Sequence, residues 1–167
     1  MSLASVRRFL GEHAPDIDLI ELDTSTATVP LAAAAHGVAP GQIAKTLSLR
    51  IGERVVLVVT PGDRRLDNKK MKAALGGKPR FLEADDVVRL TGHPVGGVCP
   101  FGLATPLPVL CDVALQSYDV VLPAAGDIHS AVRIDPRRMA DLTGATWVDV
   151  CADPVAAATD AAASPPI

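Results

Sequence analysis

Residues 43–60 constrain the fold of this chain more than any other stretch. Residues 43–51 alternate in polarity, Gly52-Glu53 places glycine first in a two-residue connection, and residues 54–60 form a second apolar run. A two-residue loop led by glycine suits a type II′ turn, whose twist matches that of the flanking strands, so the segment is a β-hairpin. Val55-Val56-Leu57-Val58-Val59 is apolar at every position. A strand apolar on both sides needs cover on both, which puts the hairpin at the centre of a sheet. Pro61-Gly62 ends it.

Around the hairpin the chain is clearly punctuated. Residues 3–13 carry Leu3, Val6 and Leu10 on one helical stripe, and Pro15-Asp16 stops that helix. A short strand is expected over 18–22 and an alanine-rich helix over 29–36, closed by Gly37. Asp67 can cap a helix over 68–75 closed by Gly76-Gly77, and a further helix over 83–90 is closed by Gly92. A Gly/Pro loop fills 92–108. A strand over 109–113 follows, then a hairpin of 120–125 with 128–134 around Gly126-Asp127. Pro136 opens a helix over 136–142, and a last strand spans 146–150. Hairpins mixed with helices, without regular βαβ alternation, indicate the α+β class. The expectation is a single domain over 1–151 with a curved mixed, mostly antiparallel sheet or partial barrel flanked by helices. Residues 152–167 are dominated by Ala, Asp, Thr, Ser and Pro without periodicity, and read as a disordered tail.

Composition narrows the class. With 49% apolar residues in 167, but only three Phe, one Tyr and one Trp, the core must be built from Val, Leu, Ile and Ala. No apolar run approaches the roughly 20 residues needed to cross a bilayer, and Arg7-Arg8 is not followed by the apolar stretch and cleavage site of a signal peptide. Cys99, Cys111 and Cys151 are odd in number and form no Cys-x-x-Cys, and His13, His36, His93 and His129 do not fall at ligand spacing. Neither a disulfide framework nor a metal site is expected, and a cytoplasmic chain with reduced thiols fits. On a net charge of −3, residues 63–80 hold Arg64, Arg65, Lys69, Lys70, Lys72, Lys78 and Arg80 against Asp63 and Asp67. That stretch is either a solvated helix face or a small patch for phosphates.

Lys45 stands out within the hairpin. Strand alternation places it on one face with Ile43, Leu47, Leu49 and Ile51, the apolar set. An ammonium there must find a carboxylate, reach water or meet a ligand; the alternative is a strand-end lysine that snorkels out. Asp112 is the best candidate carboxylate, with a local turn cap as its other reading. The loop Gly92-His93-Pro94-Val95-Gly96-Gly97-Val98-Cys99-Pro100-Phe101-Gly102 is the second feature. Its glycines let backbone approach a ligand, and its consecutive amides can hold an oxyanion, although many such loops only turn corners. Cys99 with His93 would make a thiol nucleophile and base, but no third orienting group is identifiable.

Taken in order, Gln42-Ile43-Ala44-Lys45-Thr46-Leu47, the loop Gly96-Gly97-Val98-Cys99-Pro100-Phe101-Gly102, Asp112, Ala125-Gly126 and Ile134-Asp135-Pro136 resemble the YbaK/ProX family over about residues 3–150. That domain also occurs as the editing insertion of bacterial prolyl-tRNA synthetases. The resemblance implies an α+β domain that hydrolyses wrongly charged aminoacyl-tRNA, most often on tRNA for proline, with no metal or organic cofactor. The family's lysine falls on Lys45 and its G-x-x-x-P loop on Gly96 to Pro100. Lys45, Gly96 and Gly97 are then the catalytic candidates. Val98, Cys99, Pro100, Phe101, Asp112 and Gly126 are the substrate-binding candidates, and Arg64, Arg65, Lys69, Lys70 and Lys72 would meet the tRNA acceptor end. The expected partners are that acceptor end and a synthetase, with no membrane, for a monomer or homodimer. Phe101-Gly102-Leu103-Ala104 stands where the Escherichia-type YbaK branch has polar and basic residues, a departure from its cysteine-specific pattern. The alternatives are a non-catalytic tRNA- or synthetase-binding module of the same fold and a Cys99-dependent hydrolase.

Overall fold

The central hairpin forms as its spacing predicts: β2 (Ile43–Ile51) pairs antiparallel with β3 (Arg54–Pro61), Ile51 opposite Arg54. The computed structural model describes residues 2–153. Before the hairpin come α1 (Ser2–His13), β1 (Leu19–Glu21) and α2 (Val29–His36); after it come α3 (Asn68–Leu75), β4 (Arg80–Phe81), α4 (Ala84–Thr91), β5 (Val109–Asp112), β6 (Leu122–Pro123), β7 (Ser130–Val132), α5 (Pro136–Thr143) and β8 (Thr146–Val148). The helix ends obey local chemistry. The Asp67 carboxylate accepts the Lys70 amide at 2.9 Å, Asp135 accepts that of Arg137 at 2.7 Å, and Gly37, Gly76, Gly92 and Gly144 close four helices in the left-handed conformation.

The sheet runs β4-β2-β3-β5-β8, with β6 also pairing β2 beside β4. It is mixed, as expected: the antiparallel pairs β2–β3 and β2–β4 supply the larger share of the paired residues, and β2–β6, β3–β5 and β5–β8 are parallel. The reason is crossover. Helices α3 and α4 carry the chain from β3 back to the starting end of β5, and α5 does the same between β5 and β8. The pairing path is open, ending on β4 and β8, while β1 and β7 form a separate antiparallel pair.

Two layers cover the sheet. Val6 and Leu10 of α1, with Met139 of α5, pack on Ala44, Leu57, Val59 and Cys111. On the other face Met71 and Leu75 of α3 pack on Leu47, Leu49, Val56 and Val58, and Val29, Ala32 and Ala33 of α2 cover Ile43. Each fully buried Val or Leu contributes roughly 1.5–3 kcal/mol, which is how a core with few aromatics suffices. The sheet region extends past residue 150. Cys151 bridges to Leu66, and the Ala152 amide donates to the Arg65 carbonyl at 2.8 Å. The tail expected over 152–167 otherwise lies outside the described residues. No described helix is long and apolar enough to cross a membrane.

Candidate functional site

The hairpin register places the first members of the site. Counting back from Ile51 opposite Arg54, Lys45 faces Thr60. Lys45 sits in the row Ile43, Lys45, Leu47, between the residue covered by α2 and the residue covered by α3. It is only 8% exposed and Thr60 is 0% exposed. Among the described residues no hydrogen bond or salt bridge reaches the Lys45 ammonium, and the Thr60 hydroxyl has no partner either. Burial pushes the Lys45 pKa below the usual lysine value; Cys151 and Asp63 act the other way, and Arg65 reinforces the drop. Its neighbour Thr46, on the opposite face, is also buried with an unpartnered hydroxyl. Buried polar groups are normally paired, so Lys45 and Thr60, which share one face, are the candidate ligand position; Thr46 lies on the other side of the sheet. Thr60 was legible in the sequence through the two-residue turn, though not singled out there; Thr46 had no such signal.

Asp112 does not serve as the partner of Lys45. One carboxylate oxygen accepts the Ala114 amide at 2.8 Å, and the other accepts the amides of Val150 at 2.8 Å and Cys151 at 3.2 Å. It is a buried clasp joining the end of β5 to the strand-like segment after β8, with its acceptor capacity committed to backbone.

The Gly/Pro loop is held by three other segments. Gly97 lies so close to the turn after β6 that a Cβ on it would stand 2.7 Å from the Asp127 Cα and N. The Gly126 amide, at φ 97°, donates to the Gly97 carbonyl at 3.0 Å. Gly96, at φ 94°, packs beside Ala27 and Ile128. Thr26 donates its hydroxyl to the Ile128 carbonyl at 2.9 Å, strapping the segment before α2 to the same turn. The Gly97 amide itself donates to the Pro94 carbonyl at 2.9 Å, so it is not a free oxyanion donor. Gly96 and Val98 carry amides without a partner among the described residues. His129, read from sequence as an ordinary strand residue, lies in this turn with a buried, unpartnered Nδ1.

Cys99 and Phe101 do not line a surface pocket. Both are 0% exposed and belong to the core beneath α1, where Phe101 stacks at 5.8 Å on Phe9. Pro100 is buried too, and Val98, 4% exposed, lies outside the core clusters. The Cys99 sulfur is 3.6 Å from His93 Nε2, but that nitrogen is 2.7 Å from the Phe101 carbonyl, which accepts only if Nε2 carries the proton. His93 therefore has no free Nε2 lone pair to take a proton from the thiol. Burial pushes Cys99 up to about 12, with the Phe101 carbonyl bond opposing, and raises Cys111 and Cys151 to about 12 as well. All three thiols are expected to resist a disulfide reagent at neutral pH until the protein is denatured, and Cys99→Ala to retain activity.

The basic stretch divides in the structure. Lys69 and Lys72 are exposed on α3. Lys70 is tied to Asp149 at 3.1 Å and to the Cys151 carbonyl at 3.0 Å, and Arg64 donates to the Ala152 carbonyl at 3.3 Å. Arg65 is exposed and acts on Lys45. A separate cleft of about 460 Å³ lies near α5, lined by Asp16, Asp18, Arg133 and Arg138 among others. Arg138 and Asp16 form a two-pronged ion pair there, at 2.6 Å in each prong. Unpartnered polar groups, rather than concavity, make Lys45 and Thr60 the candidate site.

Comparison with known proteins bears on the family and the fold. Residues 23–142 match the family described as "Aminoacyl-tRNA editing domain". The "Uncharacterized protein YwhH" of Bacillus subtilis is 43% identical over 155 residues, covering 92% of this chain and 99% of its own length. The "Putative Cys-tRNA(Pro)/Cys-tRNA(Cys) deacylase EbsC" of Enterococcus faecalis is 29% identical, covering 68% of this chain and 71% of its own. Among solved structures, a "putative trans-editing enzyme for prolyl tRNA synthetase" superposes with a TM-score of 0.85 at 34% identity, covering 91% of this chain and 98% of that one. The resemblance read from the motifs and the α+β fold are both borne out: the chain belongs to the aminoacyl-tRNA editing domain family.

Proposed function

We propose that the protein is a trans-acting editing deacylase that hydrolyses the ester of a small mischarged amino acid on tRNA, with tRNA for proline as its first target. One observation carries the reading: in a member of this family, a lysine only 8% exposed has no hydrogen-bond or salt-bridge partner among the described residues, and it stands opposite a buried threonine hydroxyl that has none either. Such a group is costly until a ligand satisfies it. The aminoacyl ester is already activated, because its α-ammonium draws electrons from the carbonyl. A water oxygen adds to that carbon, the bond to the ribose oxygen breaks, and the water's proton passes to the ribose oxygen. Free amino acid and uncharged tRNA leave. Lys45 binds the carbonyl oxygen or the terminal phosphate, and the Gly96 and Val98 amides, which flank the committed Gly97 amide, act as loop donors. The neighbouring ribose hydroxyl of the substrate positions the water. Val98, buried but outside the three core clusters, limits the side chain admitted, where one methylene is worth about 1–3 kcal/mol. Such a role belongs in the cytoplasm, beside a synthetase.

The test is deacylation of alanyl-, seryl-, threonyl- and cysteinyl-tRNA for proline by the purified protein. Release of at least one amino acid is expected. Retardation of tRNA with no release would make the protein a binding module instead. Lys69 and Lys72 supply phosphate contacts in this reading, whereas Lys70 and Arg64 brace the fold. Neutralising Lys69 and Lys72 together is expected to weaken tRNA binding and lower the slope of log affinity against log salt by about one to two. An unchanged slope returns the pair to a solvated face.

A further inference from the structure

His93 is a buried imidazole that the proposed chemistry does not use. Its side chain is 0% exposed, yet both ring nitrogens are engaged. Nε2 donates to the Phe101 carbonyl at 2.7 Å, which leaves Nδ1 as the acceptor, and Nδ1 is met by the Ser2 hydroxyl. The ring thus spans the chord of the loop from residue 93 to residue 101 and ties it to the first turn of α1. The start of the loop is fixed as well. The His93 amide donates to the Thr91 hydroxyl at 3.0 Å, and that hydroxyl donates to the Val87 carbonyl at 2.6 Å, anchoring the loop to the end of α4.

The far side of the clamp touches the turn that faces the loop. A Cβ on Gly126 would stand 2.7 Å from the Ser2 hydroxyl oxygen, and one on Gly102 would stand 2.6 Å from the Ser5 carbonyl. Gly126 is the residue whose amide holds the Gly97 carbonyl. Ser2 therefore contacts the loop through His93 and the facing turn through Gly126. A loop that carries catalytic amides needs this kind of support, since a displacement of about 1 Å costs about 10²-fold in rate.

Resting on the deacylase reading above, we infer that His93, in its Nε2-protonated tautomer, is a positioning residue that sets the Gly96 and Val98 amides by clamping the Phe101 carbonyl and the Ser2 hydroxyl. It touches no substrate. Its action is on the geometry of the loop, so it shows in turnover more than in tRNA binding.

The experiment combines kinetics with hydrogen exchange on the full chain. In His93→Phe an aromatic ring, somewhat larger, stays and both bonds go. In His93→Gln the side-chain amide can still donate to the Phe101 carbonyl. H93F is expected to lower kcat for deacylation at least tenfold with KM within about threefold, and H93Q to recover most of the loss. In parallel, amides of residues 92–102 should exchange at least tenfold faster in H93F, with β2 and β3 unchanged. A residue that merely fills the core would give equal losses in H93F and H93Q, and that result overturns the inference. Unaltered exchange over 92–102 in H93F overturns it equally. Should H93F fail to fold, Ser2→Ala removes only the hydroxyl donor and is expected to speed exchange in the same segment; an unchanged rate refutes the clamp. Wild-type protein that releases no amino acid overturns the deacylase reading, while the exchange data still decide the clamp.

Discussion

Lys45→Met is expected to abolish deacylation and to raise the stability of the fold. The two effects have one cause. The Lys45 side chain, 8% exposed, lies between the residues covered by α2 and α3, opposite the Thr60 hydroxyl, and among the described residues neither group has a hydrogen-bond or ion-pair partner. Burial disfavours its charged form, as its lowered pKa shows. Methionine keeps a stem of similar length and places an apolar end where the ammonium was. Replacing buried ionic groups by apolar ones of similar volume is often neutral or stabilising, and about 1–2 kcal/mol is expected here. For a chain of this size each kcal/mol raises Tm by about 2–4 °C. Loss of a cationic donor to the reacting ester should cost about 10²–10³-fold in rate. The measurements are a thermal melt and a single-turnover deacylation assay on the same preparation. A destabilised K45M would mean that the ammonium has an internal partner, and near-normal turnover would remove Lys45 from the site.

The lowered pKa also sets a pH dependence for wild-type stability. The unfolded chain holds the Lys45 proton up to about 10.4, while the folded chain gives it up sooner. Between the lowered folded value and the unfolded one the unfolded state binds more protons, so this residue's contribution to stability rises with pH there. K45M should lack that component, which a comparison of the two proteins across alkaline pH would isolate.

Gly97→Ala is expected to give the other large effect, in the opposite sense. The added Cβ would stand 2.7 Å from the Asp127 Cα and N and 2.8 Å from its C, all backbone atoms. No side-chain rotation relieves that contact, so the loop and the turn after β6 must move apart. The Gly126-to-Gly97 hydrogen bond of 3.0 Å lies at the point of separation. Forced overpacking of this kind costs about 1–3 kcal/mol. The neighbouring Gly96 and Val98 amides are displaced with it, and a fall of at least tenfold in deacylation is expected. Urea denaturation and the deacylation assay check both. A variant as stable and active as wild type would show that the close approach at Gly97 is not required.

How far this was readable depends on the range of the interaction. The hairpin turn at Gly52-Glu53, the helix over 29–36, and the Asp67 cap with the helix over 68–75 were read as they stand, because each is decided within a few residues. The inward position of Lys45 followed from alternation alone. β4, only two exposed residues with no period, was not readable, nor was the parallel pairing of β5 with β3, made by residues about fifty positions apart. The same limit applied to side chains. Lys70 looked like its neighbours Lys69 and Lys72, but Asp149, far along the chain, claims it. Cys99 and Phe101 looked like pocket residues and are core, because α1 packs over them.

By itself the sequence determined the β-hairpin, the helix ends, the face on which Lys45 lies and the family to which the motifs point. These are consequences of turn chemistry, capping and two-residue periodicity, which act locally. Only the tertiary structure decided that Asp112 clasps backbone instead of pairing with Lys45, that the Gly97 amide is committed, and that Lys45 and Thr60 find no partner among the described residues. Whether a buried donor or acceptor is satisfied depends on groups that long-range packing brings to it.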